Sequence, residues 1–212
     1  MVYDSVPDPG TAMSNVKKSG IKDMETGFPT AQQLAALLKN RRTIHRFDGR
    51  VPPREQIMRA IDLARWVPNH HHTEPWEFVL MGPETIRQVI DLNCELVAAS
   101  KGDQAAAAKR QRWSEVPGWL CVTCLTDEDA GRQQEDYAAC CCAIHNLSLV
   151  LWEQGIGIKW TTGPVTRDDR FYSILEIPQQ SRFVVGLCWY GYPGLVPEQS
   201  RRDVQQIIRE CP

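Results

Sequence analysis

The sequence predicts one compact α+β domain. Apolar residues alternate between helical and strand spacing in the order α-α-β-α-β-α-β-α-β, which mixes the two element types in one layered unit. No internal repeat and no domain linker interrupts that order, and 212 residues suit one domain better than two. Hydrophobic residues are 42% and charged residues 24%, ordinary globular usage for a chain able to bury a substantial core.

Residues 1–28 form a polar N-terminal extension with Pro7, Pro9, Gly10, Gly20 and Gly27 and little periodicity. The expectation is that this stretch is partly disordered or wraps a partner subunit, and that the domain proper is 29–212. Thr30 is placed to cap a first helix whose apolar face is Leu34, Leu37 and Leu38. A second helix starts near Pro53, with Ile57, Ala60, Ile61 and Ala64 at i, i+3, i+4, i+7, and Pro68 stops it. After a polar loop, Asn69–Glu74, Trp76–Leu80 reads as a strand. Pro83 opens a helix with Ile86, Val89, Ile90 and Val97 on one face. Residues 101–115 are polar and helix-tolerant, an insertion able to form a lid. Residues 119–125 read as a buried strand, and 133–154 as a long helix, apolar on nearly every side after Tyr137 and closed by Gly155. Ile156–Trp160 is a short strand; Thr166 with Asp169 resembles a capping box for a helix burying Phe171, Ile174 and Leu175. Arg182–Tyr190 is a Val- and aromatic-rich strand, and Val204, Ile207 and Ile208 mark a short final element.

The formal net charge is −2, so no overall basic field draws the chain to nucleic acid or to an anionic membrane. The longest apolar run, Tyr137–Trp152, is broken by His145, Asn146 and Ser148, whereas a membrane-spanning helix needs about 20 mostly apolar residues. The N-terminus lacks the apolar segment of a signal peptide. A cytoplasmic protein with reduced thiols is expected. Cys121 and Cys124 form a C-x-x-C, but residues three apart on a strand face opposite sides and do not close a chelate. Cys140, Cys141 and Cys142 each turn about 100° from the next on a helix. The cysteines are therefore read as small buried apolar residues.

Four clusters carry chemistry. Arg41-Arg42-Thr43-Ile44-His45-Arg46-Phe47 packs four chargeable bases into six residues; it suits a phosphate, or equally a helix C-terminus whose dipole favours cations. Asn69-His70-His71-His72 reads as a ligand-contact loop or as plain surface. No metal site is expected there, because adjacent loop side chains rarely converge and helical metal pairs use i, i+4 spacing. Gly155-Ile156-Gly157 is not a dinucleotide fingerprint, since it follows a helix and leads into a strand; its glycines suit close backbone approach. Ser200-Arg201-Arg202 is a second anion site or solvated surface.

Together these clusters resemble the nitroreductase family. Arg41–Phe47 is similar to its opening Arg-(Arg/His)-Ser-x-(Arg/Lys)-x-Phe, Glu74-Pro75-Trp76-Glu77-Phe78 to its Gln-Pro-Trp-x-Phe, Gly155–Trp160 to its Gly-x-Gly-x-x-Trp, and Gly191-Tyr192-Pro193 to its Gly-Tyr-Pro turn. The likeness spans roughly residues 31–205 and is strongest to the small single-domain branch. It implies a mostly antiparallel sheet flanked by helices, an intertwined homodimer, and FMN at the subunit interface. Arg41, Thr43 and Arg201 match phosphate contacts, with Arg42 at a cofactor-contacting position. His45 stands where many members carry Lys or Arg near the flavin N1/C2 carbonyl, and Glu74 replaces the usual Gln; both bear on the flavin potential. Asn69, His70 and His72 match the loop the partner lays against the flavin. Trp160, Thr161, Thr162 and Gly163 match the segment along the isoalloxazine edge. The implied activity is hydride transfer from NAD(P)H through the flavin to a small planar acceptor, a nitroaromatic or quinone, with no obligatory side-chain acid or base. The alternatives are another reaction on the same fold, dehydrogenation or dehalogenation, or a flavin-binding module with little turnover.

Overall fold

The computed structural model describes residues 28–211. All but Phe28 of the predicted N-terminal extension lies outside these. The residues from Leu37 onward form one compact unit, distinct from the unit that ends at Ala36.

Helix α1 (Ala31–Asn40) starts where Thr30 predicts. The Thr30 hydroxyl accepts from the Gln33 backbone N–H at 3.2 Å, and the Gln33 side-chain Oε1 accepts from the Thr30 backbone N–H at 2.9 Å, a reciprocal capping box. Helix α2 (Arg54–Ala64) buries Ile57, Ala60 and Ala64, as its spacing requires. Four strands follow: β1 (Trp76–Leu80), β2 (Gly118–Leu125), β3 (Gly157–Thr161) and β4 (Arg182–Gly191). They form one antiparallel sheet in the order β1-β2-β4-β3. Lys159 pairs with Trp189 across β3 and β4, and Cys121 with Leu187 across β2 and β4.

Helices cover both faces of this sheet. On one face Leu120, Val122, Cys124, Val185 and Cys188 pack against α2 and the long helix α5 (Ala130–Glu153). On the other, Trp119, Cys121, Leu187 and Trp189 pack against α3 (Pro83–Lys101), α4 (Asp103–Ser114) and α6 (Asp169–Ile174). Cys121 and Cys124 lie in different cores, so the C-x-x-C does not converge, as strand alternation predicts.

Several expectations are corrected. The polar stretch 101–115 is mostly one regular helix, α4, whose inward contacts are Ala106 and Trp113. Two of the cysteines expected to be buried, Cys142 on helix α5 and Cys211, are exposed. Thr166 does not cap α6. A 3-10 turn, Pro164–Arg167, takes up its hydroxyl, which donates to the Gly163 carbonyl at 3.0 Å. Asp168 caps α6 instead, accepting from the Arg170 N–H at 2.9 Å. The final element is a single 3-10 turn, Val204–Gln206, with Val204, Ile207 and Ile208 exposed. Among the described residues no helix is long and apolar enough to cross a membrane.

Candidate functional site

The Arg41–Phe47 segment is fixed to the sheet along its length. The Ile44 N–H donates to the Ile158 carbonyl at 3.1 Å, and Thr43 pairs in parallel with Ile158. Ile44 is fully buried. This approach requires Gly157, because a Cβ there would lie 2.3 Å from Ile44 Cγ1. Downstream, Phe47 pairs with Pro193 and the Asp48 N–H donates to the Tyr192 carbonyl at 3.0 Å. The Gly-Tyr-Pro turn therefore clamps the segment's far end.

Arg41 and Thr43 line a cavity of about 150 Å³ with Ile144, His145, Ser148, Ile158 and Trp160. The Arg41 guanidinium is pushed below its ordinary value by burial first, then by the charges of Arg201 and Arg42. Arg201 thus lies within electrostatic reach of Arg41, and neither makes an ion pair among the described residues. Clustered cations without carboxylates are arranged for an anion. Arg42 plays a different part. Its guanidinium donates to the carbonyls of Lys39, Arg41 and Pro197, tying the C-terminal segment to the end of α1. His145 belongs to this corner and was not foreseen. Its only trace in the sequence is a polar break in the apolar run of α5.

His45 turns toward a different cavity, of about 570 Å³, shared with Phe47, Arg112, Lys159 and Trp189. Burial lowers its pKa, and Lys159 and Arg112 lower it further.

The segment 160–163 divides between two faces. The Trp160 indole N–H donates to the Val185 carbonyl at 3.3 Å. Its ring lies over Gly186, where a Cβ would meet Nε1 at 1.9 Å. Thr161, Thr162 and Gly163 instead line a third cavity, of about 350 Å³, between α3, α4 and β3.

The Asn69–Glu74 loop lines none of these three cavities. His71, His72 and Glu74 all adopt positive φ, at 59°, 51° and 43°. The Asn69 side chain holds that shape, accepting from the Glu74 N–H at 2.7 Å and donating to the His70 carbonyl and the Thr73 hydroxyl. Thr73 in turn donates to buried Asp136 of α5 at 2.5 Å. Contrary to expectation, adjacent histidines do converge: His70, His71 and Glu135 place one ligand atom each within 4.8 Å of one another, all exposed.

The chain matches the model of the Nitroreductase family over residues 38–192. It is 31% identical to a Bacillus subtilis protein provisionally named NAD(P)H nitroreductase YfhC, over 80% of this chain and 89% of that one. It is 26% identical to the iodotyrosine deiodinase of Thermotoga neapolitana, over 84% of this chain and 97% of that one. Among solved structures, a nitroreductase-like family protein from Bacillus cereus superposes with a TM-score of 0.76 at 26% identity, covering 87% of this chain and 99% of that one.

Proposed function

Because the chain belongs to the nitroreductase family, we propose that it is an NAD(P)H-dependent flavin oxidoreductase that holds FMN by its phosphate at the corner formed by Arg41, Thr43 and Arg201. The observation that carries this reading is that corner: Arg41 lines a groove that contains no carboxylate, and Arg201, from a distant part of the chain, lies within its electrostatic reach. The arginine fork and the Thr43 hydroxyl are donors suited to phosphate oxygens. When bound, FMN supplies two-electron transfer between a reduced nicotinamide and a planar acceptor. The protein's part is orientation and exclusion of water. Trp160, seated on Gly186, forms a rigid wall, and Thr161, Thr162 and Gly163 run on from it along the proposed ring edge. His145 and Ser148 of α5 close the corner from the other side.

The flavin domain in this reading is 29–212, and the working unit is a homodimer. Met58, Leu63, Trp66, Leu195, Val196, Ile207 and Ile208 are exposed, apolar side chains of the kind a partner subunit would cover. The Asn69–Glu74 loop lines none of the three cavities described above, which fits a loop that Asn69, His70 and His72 present to the partner's flavin. A second reading, reductive removal of halide from an aromatic ring, is supported by the deiodinase relative.

The test is the visible spectrum of the purified protein. A flavin band, one FMN per chain, and bleaching by NADH or NADPH without air are expected. A colourless protein that takes up no added FMN refutes the proposal. Anaerobic turnover of a nitroaromatic, a quinone and a halophenol then separates the two reactions.

A further inference from the structure

The third cavity carries chemistry that the phosphate corner does not use. Three lysines line it, Lys101, Lys109 and Lys159, and none makes an ion pair among the described residues. The Lys159 ammonium stands 4.5 Å from the Trp189 ring centroid. Burial lowers its pKa, and Lys109 and Arg112 lower it further. Two side chains of the same lining also carry buried donors without partners. Asn93 is 7% exposed and Trp189 is 3% exposed, and neither Asn93 Nδ2 nor Trp189 Nε1 has a hydrogen-bond partner. A buried unpartnered N–H costs about 1–3 kcal/mol, so such groups are normally satisfied. Asn93 and Trp189 come from separate elements, α3 and β4, yet both line this cavity.

The rest of the lining is apolar, including Leu96, Val97 and Trp113, and no Asp or Glu contributes to it. At about 350 Å³ the cavity lies near the small end of the range for ligand sites, roughly 300–1,000 Å³. It also includes Thr162 and Gly163, the segment proposed to follow the flavin edge. We propose that this cavity is an acceptor site selective for small aromatic molecules bearing one carboxylate and no ammonium. The ring would rest on the apolar wall, and the acid would meet the lysines. A free amino acid is disfavoured, because its ammonium would enter a space that already holds three cations and no acid. The proposal rests on the flavin reading for its chemistry, but not for binding.

Binding is therefore tested first, on the whole protein, by ligand-induced shifts in melting temperature with benzoate, benzamide and phenylalanine. Benzoate alone is expected to stabilise. Lys109→Met is expected to weaken benzoate about tenfold, the worth of one charge-assisted contact, and Lys109→Arg to restore most of it. On the flavin-loaded protein, the preference in kcat/KM for 4-nitrobenzoate over 4-nitrobenzamide should fall by the same factor in Lys109→Met. Equal binding of benzoate and benzamide overturns the proposal, as does tighter binding of phenylalanine than of benzoate. So does a Lys109→Met protein that keeps its acid preference but loses discrimination between NADPH and NADH, since the lysines would then read a nucleotide phosphate. A protein that binds benzoate selectively yet takes up no FMN leaves this inference standing and removes the proposed function instead.

Discussion

The two cationic regions on either side of β3 differ in how they are built. Ile158 and Trp160 face α5 and share the corner with Arg41 and Thr43, while Lys159 and Thr161 face α3 and α4. Strand alternation sends successive side chains of one five-residue strand to the two regions. The corner is arginine-based and small, about 150 Å³, and its far cation, Arg201, arrives on an exposed segment that Arg42 ties in place. The cavity is lysine-based and walled by two helices. Arginine offers a planar fork matched to phosphate, whereas lysine is a compact charge on a flexible stem, less demanding of geometry. The difference suits a permanently held cofactor on one side and exchanging small acids on the other.

The substitution expected to have the largest effect is Arg41→Met. Loss of its charge-assisted contacts, worth about 1.5–3 kcal/mol in such pairs, should raise the FMN dissociation constant about 10–150-fold, read by flavin fluorescence quenching. Benzoate binding should be unchanged. If both fall together, the two regions are one site and the contrast between them fails.

Gly186→Ala sharpens the contrast from the packing side. The new methyl would occupy the place of the Trp160 indole, and overpacking of this kind costs about 1–3 kcal/mol. At about 2–4 °C per kcal/mol for a chain of this size, the melting temperature should drop by several degrees. FMN affinity should weaken because Trp160 walls the corner, with the lysine cavity unaffected. An unaltered melting curve would mean that Trp160 is not held against β4.

These contrasts also separate what was legible in the sequence from what was not. The α+β order was readable because Ile57, Ala60 and Ala64, or the run Trp119–Cys124, carry the period of their elements. The cationic corner proposed for the phosphate was partly readable because Arg41 and Thr43 sit in one short cluster. The lysine cavity was not, since Lys101, Lys109 and Lys159 lie on three separate elements and each alone resembles a solvated surface residue. Helix α4 hid for a related reason: only Ala106 and Trp113 are buried, too few to set a period. The loop shape was invisible because three non-glycine residues take positive φ, held there by Asn69 and by Thr73 on Asp136, contacts that no residue type announces.

The smallest expected effect is a pH dependence that distinguishes the regions by their histidines. His145, beside Arg41, has its pKa lowered by burial and then by that arginine; His45, on the other side, is lowered by burial, Lys159 and Arg112. Because both folded values lie below the unfolded value of about 6.5, the unfolded chain takes up these protons first. Stability should therefore be level above neutrality and fall as pH drops through about 6.5 toward the folded values. His145→Gln and His45→Gln should each flatten part of that decline in melting temperature. Sulfate should bind the corner and offset the repulsion from Arg41, so that it protects more at acid pH than at neutral pH. In His145→Gln that pH dependence of protection should disappear, while in His45→Gln it should persist. Equal losses in the two variants would mean that an anion reaches both sides of β3 alike, and that the corner has no special claim to the phosphate.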